Sequence, residues 1–310
     1  MQCLKCQQKA VLKLQHGYLC KIHFIDYFEK KVFKTINKYK LISRTDVVCV
    51  ATSGGKDSLT LLYTLKKYFE RNQYDLNNLQ ALVIDEGIKG YRDTTIKILK
   101  KFCKKHKVPL NIKSFKEEFE KTLDQAYPII NKKTGKKPCT VCGIWRRFLL
   151  NKHAKELKAT KLATGHNLDD EAQAIMMNTF KANVKQTTKL GPKTGIVEHE
   201  GFIQRIKPLY FCLEKETRLY TFLKDIEVDN TECPNVNQSY RAEVRDLLNQ
   251  FEAKFSGTKT GIINSFLYSL DKLKECEIKE GIIEPKKCKL CKEPAQKEIC
   301  NACELKLVLE

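Results

Sequence analysis

Six consecutive residues, Ser53-Gly54-Gly55-Lys56-Asp57-Ser58, carry the donors and charges that a polyphosphate needs. Gly54 and Gly55 let an anion approach the main chain. Lys56 offers a point charge, and Ser53 and Ser58 offer hydroxyls. The string follows the apolar run Val47-Val48-Cys49-Val50-Ala51 and precedes Leu59, Leu61, Leu62 and Leu65, the pattern of a buried strand turning into a helix. Unpaired N–H groups and the helix dipole then face the same anion. The Gly-x-x-x-x-Gly-Lys-[Ser/Thr] spacing of a Walker A loop is absent. A chance Gly-Gly turn is the plain alternative, and the strand–turn–helix context argues against it.

Fourteen cysteines supply a second chemistry. Without a secretory pattern at the N-terminus, they point to metal or thiol work rather than disulfides. Cys3-x2-Cys6 is followed thirteen residues later by Cys20-x2-His23, and Cys288-x2-Cys291 by Cys300-x2-Cys303. Each quartet offers the soft ligands of a tetrahedral zinc site. Segments this short bury too little apolar surface to fold alone, so a metal supplies the missing energy. A third set comprises Cys139, Cys142 and, ninety residues further on, Cys233. Three thiolates can hold three irons of a [4Fe–4S] cluster and leave the fourth open. Equally, Cys139 and Cys142 could cycle through a disulfide while Cys233 carries a persulfide. A zinc site with a fourth ligand elsewhere is the structural alternative. Spacing does not choose among the three.

These groups need a scaffold, and the apolar pattern describes one. Strands are expected at 47–51, 79–84, 108–112, 161–163 and 203–209. Helices are expected at 59–69, 92–106, 167–180 and 214–225. Such alternation predicts a doubly wound parallel sheet, an α/β fold whose ligands bind beyond the carboxyl ends of the strands. Ser53, Asp85 and Gly165 fall there. A basic amphipathic helix over 27–40 and two helices over 240–255 and 260–273 flank the sheet. The stretch 123–138, with Pro128, Gly135, Lys132, Lys133, Lys136 and Lys137, reads as a mobile basic loop, either over the site or inert. The expected division is an N-terminal zinc-ribbon-like module over 1–27, a nucleotide domain over 28–275, and a C-terminal zinc-ribbon-like module over 284–310.

At 310 residues, with 42% hydrophobic content, the chain can bury a full α/β core. Its formal net charge of +20 favours a polyanionic partner, nucleic acid above all, although a solvated Lys surface is the bland reading. Acidic membranes are the rival, but no stretch approaches the length of a spanning helix. A cytoplasmic protein is therefore expected.

The Ser53–Ser58 string resembles the PP-loop of N-type ATP pyrophosphatases, and the chain as a whole resembles the TtuA/TtcA-type tRNA 2-thiolation enzymes. The resemblance runs through Ser53–Ser58, Pro138-Cys139-Thr140-Val141-Cys142-Gly143, Thr164-Gly165-His166-Asn167-Leu168-Asp169-Asp170-Glu171, Lys207-Pro208-Leu209 and Glu232-Cys233-Pro234. Terminal quartets mark the two-zinc-finger group, which the TtcA branch lacks. Asp85–Asp93, Cys142–Arg147 and Tyr240–Leu248 look more like the wobble-uridine branch than the T-loop branch. Cys233-Pro234-Asn235-Val236 departs from the longer insertions that some wobble enzymes carry.

The resemblance implies an ATP-dependent exchange of the uridine C2 oxygen for sulfur, with AMP and pyrophosphate released. Ser53, Gly54, Gly55, Lys56 and Ser58 would cradle the pyrophosphate, and Asp57 would orient the loop or a Mg²⁺. The backbone around Ala51 and Ile84 would receive adenine, and Arg146 (Lys in some relatives) and Gly165 would contact the nucleotide. Asp169 and Asp170 would hold Mg²⁺ or act on the uridine N3 proton, unless they only cap their helix. His166 reads as a structural hydrogen bonder. On the cluster reading, Cys139, Cys142 and Cys233 ligate a [4Fe–4S] centre whose open iron holds hydrosulfide; on the rival reading, a persulfide on Cys233 serves. Implied partners are tRNA and a sulfur donor, either a ubiquitin-like thiocarboxylate carrier or free sulfide, with room for a homodimer or a partner subunit. An idle PP-loop on a zinc-finger tRNA-binding subunit is the non-enzyme alternative. Cys49, Cys103, Cys212 and Cys276 are left as core or surface residues.

Overall fold

A computed structural model describes residues 1–14, 17–197, 199, 201–229, 231–235, 240–281 and 285–310. Val236 and Glu284, the expected start of the last module, lie outside them. In chain order the elements are β1 (Ala10–Leu14), β2 (Gly17–Cys20), α1 (Lys21–Lys38), β3 (Val48–Ala51), α2 (Lys56–Arg71), β4 (Leu79–Asp85), α3 (Arg92–His106), β5 (Leu110–Ser114), α4 (Phe115–Phe119) and α5 (Leu123–Thr134). They continue with α6 (Pro138–Glu156), β6 (Lys161–Thr164), α7 (Leu168–Phe180), α8 (Val184–Thr187), β7 (Gln204–Ile206), α9 (Glu214–Leu223), α10 (Tyr240–Lys254), α11 (Thr258–Lys279), β8 (Lys286–Lys287), β9 (Pro294–Ala295) and α12 (Asn301–Leu307).

Five parallel strands form the central sheet in the order β5-β4-β3-β6-β7. Alternation along β3 sends Val48 and Val50 into one core and Cys49 into the other, while β4 sends Ala81 and Val83 one way and Leu82 and Ile84 the other. Both faces are therefore covered, as a parallel sheet requires. One face packs under Phe24, Phe28, Val32 and Ile36 of α1 together with α2 and α9. The other packs under Phe115, Phe119, Trp145 and Leu149, with Ala302 and Leu305 of α12. A third core joins α7 to α10 and α11 through Leu168, Val244, Ile263 and Phe266. Burial makes Cys49 a core hydrophobe, its thiol pushed up to about 12.

Some boundaries move for physical reasons. Helix α1 begins at Lys21, because His23 must sit in its first turn beside Cys20. Strand β7 spans only Gln204–Ile206, ending two residues before Pro208, which has no N–H to donate. Strand β5 starts at Leu110, after the left-handed cap at Lys107 (φ 55°) and Pro109.

The expected mobile loop over 123–138 is instead a helix. Thr122 and Gln125 close a capping box at its start, and Gly135 at φ +68° ends it. Leu123, Ala126 and Ile130 are buried at helical spacing. Pro128, the sixth residue of the helix, forgoes one backbone hydrogen bond, and the lysines cluster beyond the buried stripe, with Lys133 donating to the Val308 carbonyl at 2.6 Å. Among the described residues no helix is long and apolar enough to cross a membrane.

Candidate active site

The phosphate loop is held by its own side chains. Gly54 adopts φ +80°, and a Cβ there would lie 2.8 Å from Thr95 Cβ and 2.9 Å from its carbonyl oxygen. Ser58 Oγ donates to Gly55 O at 2.9 Å and accepts from Ser53 N at 3.1 Å, while Ser53 Oγ accepts from Gly55 N at 3.3 Å. Gly165, beyond β6, closes the other wall. A Cβ on it would stand 3.0 Å from Ser58 N and 3.2 Å from Asp57 O, so any larger residue would have to push the loop backbone back by a few tenths of an ångström.

Lys56 lies between two carboxylates, Asp57 Oδ2 at 3.0 Å and Glu214 Oε1 at 2.8 Å. Burial pulls its pKa down, but the two carboxylates outweigh burial and hold the ammonium above its ordinary range. Asp57 moves up, chiefly through burial and against the pull of Lys56, and accepts from Asn167 Nδ2 at 3.2 Å.

Behind the loop lies a buried ion pair that sequence reasoning missed. Arg92 Nε and Nη2 donate to the two oxygens of Glu86 at 2.6 and 2.7 Å, and Arg92 Nη1 donates to the Ser53 carbonyl at 2.7 Å. Relative exposures are 3% for Arg92 and 1% for Glu86. Arg146 Nη1 approaches the same Glu86 carboxylate at 3.6 Å from α6. Thus one carboxylate joins the phosphate loop to the helix that carries Cys139 and Cys142. Glu86 directly follows the carboxyl end of β4, where ligands of such sheets gather, and that position was the available signal.

Asp169 and Asp170 separate in role. Asp169 accepts from Glu214 N at 2.7 Å and pairs in the interior with Lys259, whose ammonium also meets Asn249 Oδ1 at 2.6 Å. Its carboxylate ties α7 to α9 and α11. Asp170 completes a capping box, accepting from Asn167 N at 3.2 Å through Oδ2, while Oδ1 lies 4.0 Å from Arg241 Nη1. Burial raises Asp170 to about 6, offset in part by Arg241. His166 reaches solvent, yet enclosing protein and the cations Lys207, Arg241, Arg146 and Arg205 depress it to about 3. Its ring is neutral at physiological pH. Lys207 is neutralised by both oxygens of Glu171, at 2.7 and 2.8 Å.

Cys139 and Cys142 lie in the first turns of α6, after Pro138 at its start. Cys139 Sγ is 3.4 Å from the Asn235 carbonyl, which brings the Cys233 segment over the helix N-terminus, and both Cys139 and Cys142 feel Cys233 electrostatically. Burial pushes the Cys142 thiol up to about 12, so its thiolate needs a cationic partner. Ala51 and Ile84 stand at the carboxyl ends of β3 and β4, the strands that lead into the phosphate loop and Glu86.

The terminal quartets differ in scale from the central three. Cys3, Cys6, Cys20 and His23 bring ligating atoms within 4.8 Å of one another, as do Cys288, Cys291, Cys300 and Cys303. Observed separations of 3.3 Å (Cys3 Sγ to His23 Nδ1), 3.6 Å (Cys6 to Cys20) and 3.7 Å (Cys291 to Cys300) match the roughly 3.8 Å edge of a tetrahedron with Zn–S of about 2.3 Å. Among the described residues no other group of three or more ligands is so tight. Cys139, Cys142 and Cys233 do not converge to that degree, which disfavours a closed zinc site there.

A family model described as a PP-loop domain matches residues 26–251. A tRNA-5-methyluridine(54) 2-sulfurtransferase of Pyrococcus horikoshii is 37% identical over 98% of this chain and 93% of its own length. The chain belongs to the PP-loop family of tRNA 2-thiolation enzymes. The tRNA 2-thiolation protein NcsA of Haloferax volcanii is 33% identical across 98% of both chains. A solved structure, the U34-tRNA thiolase NcsA of Methanococcus maripaludis with its [4Fe-4S] cluster, superposes with a TM-score of 0.83 at 33% identity, covering 100% of this chain and 96% of that one.

Removing Glu86 leaves the Arg92 guanidinium buried without its partner. Glu86→Ala should cost about 3–5 kcal/mol in denaturant unfolding and weaken ATP binding, because Arg92, no longer fixed by Glu86, loosens its hold on the Ser53 carbonyl. A loss below about 1 kcal/mol, the range of exposed pairs, would show that the pair does not brace the loop.

Proposed function

We propose that this chain adenylates the C2 oxygen of the tRNA wobble uridine and then replaces that oxygen with sulfur. The carrying observation is the Glu86 carboxylate, which reaches both the phosphate loop through Arg92 and the cysteine helix through Arg146. A nucleobase activated at the loop would therefore lie beside the thiols without leaving the crevice.

In the first step the uridine oxygen attacks the α-phosphorus, a P–O bond forms, and the bond to pyrophosphate breaks. Ser53, Gly54, Gly55 and Ser58 present N–H and hydroxyl donors to the departing phosphates, and Lys56 exchanges a carboxylate partner for a phosphate oxygen. Asp57 orients Lys56 or a Mg²⁺. Of the two acids on α7, Asp170 is the one to take the N3 proton, because the Asp169 carboxylate is occupied by Lys259 and the Glu214 amide. Neutral His166 and the cations around it hold the anionic adenylate. When bound by Cys139, Cys142 and Cys233, a [4Fe–4S] centre supplies an iron with an open position for the incoming sulfur. Hydrosulfide adds at C2, the C2–O bond breaks, AMP departs with the oxygen, and the remaining proton returns to N3.

The two quartets each hold a structural Zn²⁺ on this reading. Sulfur comes from a ubiquitin-like thiocarboxylate carrier or from free sulfide, in the cytoplasm, where thiols stay reduced. This reading leaves room for a homodimer or for a partner subunit. The second reading is T-loop thiolation, favoured by the 37% identical Pyrococcus relative, a tRNA-5-methyluridine(54) 2-sulfurtransferase.

Pyrophosphate release that requires tRNA, and falls by about two orders of magnitude or more in Lys56→Ala, is the expected result. Release independent of both would leave the loop idle. Mass spectrometry of tRNA from a deletion strain should show 2-thiouridine lost from the anticodon and kept in the T-loop, and the reverse pattern would select the second reading. Because Asp170 must be ionised to accept a proton and its folded value is about 6, kcat/KM should fall as pH drops through about 6. Asp170→Asn should lower activity and abolish that acid limb; an unchanged limb would assign the base elsewhere.

A further inference from the structure

Two arginines beyond the cysteine helix start, Arg147 and Arg205, form no ion pair with a carboxylate among the described residues. Arg147 lies on α6 and Arg205 in β7, and Arg205 Nη2 donates to the Arg147 carbonyl at 3.4 Å, so the two positions adjoin. The Arg147 guanidinium lies against Gly143, where a Cβ would stand 3.2 Å from Nη1. The glycine beside Cys142 thus gives that guanidinium its place. Of the other cations nearby, Lys207 is countered by Glu171 and Arg241 lies near Asp170, whereas Arg146 only shares the Glu86 carboxylate already paired with Arg92. Among the described residues, no carboxylate lies within 4.0 Å of Arg147 or Arg205. Partial burial and repulsion from Arg147 and Arg146 depress Arg205 to about 10; Arg147, although its residue is exposed, is lowered by surrounding protein and by Arg146. Like charges held together in this way are relieved by an anion.

We propose that Arg147 and Arg205 form a phosphodiester subsite that grips the RNA backbone beside the nucleotide being modified. This rests on the tRNA reading above and assigns that substrate its anchoring contacts. A guanidinium fork matches two phosphate oxygens. Two forks on adjoining elements match successive phosphates along a strand, whereas a single terminal carboxylate, as on a sulfur-carrier protein, could engage only one. The phosphates of ATP are already served by Ser53–Ser58. The chain's net charge of +20 suits the same occupant.

The test uses the full-length, metal-replete protein and measures tRNA affinity across a series of salt concentrations. Arg147→Gln with Arg205→Gln should weaken binding about tenfold or more and make the slope of log K against log salt shallower by about 1–2. ATP affinity, zinc and iron content should be retained. Arg147→Lys with Arg205→Lys, which keeps the charge, should restore most of the slope. An unchanged slope and affinity would overturn the proposal. So would RNA binding left intact while turnover fails only with a thiocarboxylate carrier and not with sulfide, because the pair would then serve the donor. Loss of iron in step with loss of RNA binding, in both variants, would make the arginines supports for the cysteines instead. If the wild-type protein bound no tRNA at any salt, the parent reading would fail, and this one with it.

Discussion

Glu86 and Arg92 are both almost fully buried, and losing either would leave an uncompensated charge or an unpaired polar group in the interior. Their fork-to-fork contact leaves one guanidinium nitrogen for the Ser53 carbonyl and lets one carboxylate oxygen be approached by Arg146. Because the pair sits where β4 gives out, it turns a strand end into a rigid joint. On one side of that joint is a loop shaped for phosphates; on the other is the first turn of α6, with two thiols. The Glu86 carbonyl also accepts from Leu123 N at 2.8 Å, so α5 begins at the same point. Pulling this joint apart would release a phosphate loop, a helix start and a cysteine wall together.

The outer modules serve a different end. Four ligands converge at each terminus, and the elements around them are short: a hairpin of β1 and β2, and two strands of two residues each. Such pieces have little core of their own, so a bound ion would carry much of their folding energy. Both are nonetheless joined to the body. Phe24 and Phe28 of α1 continue the first module into the main core. At the other end, Trp145 stacks on Phe119 with ring centroids 4.1 Å apart and donates through Nε1 to the Ala302 carbonyl at 3.3 Å. The same helix, α6, therefore presents the central cysteines on its first turns and holds the C-terminal module further along.

Much of this was legible before any coordinates. The alternation of apolar strands with amphipathic helices placed the five strands, and the helix over 92–106 agrees to the residue. Cysteine spacing announced both quartets, because metal ligation leaves a regular signature. What could not be read was tertiary pairing. Nothing in the run Asp85-Glu86-Gly87 says that Glu86 turns inward to meet an arginine six residues on. Asp169 and Asp170 are neighbours of the same type, and only the arrival of Lys259 from α11 distinguishes them. The stretch over 123–138 was misread because proline, glycine and lysines suggested a loop, while the buried Leu123, Ala126 and Ile130 stripe carried the deciding signal. Arg205 carries no sequence signal in its short strand, since only the fold brings Arg147 beside it.

The account stands or falls on whether one crevice holds both chemistries. An anaerobic crystal structure of the iron-reconstituted protein with a non-hydrolysable ATP analogue addresses this directly. We expect the triphosphate on the Ser53–Ser58 amides, the metal centre on Cys139, Cys142 and Cys233, and the Glu86–Arg92 pair intact between them, within one continuous cavity. Nucleotide and metal centre found in separate cavities, or the three cysteines pointing to different surfaces, would contradict it.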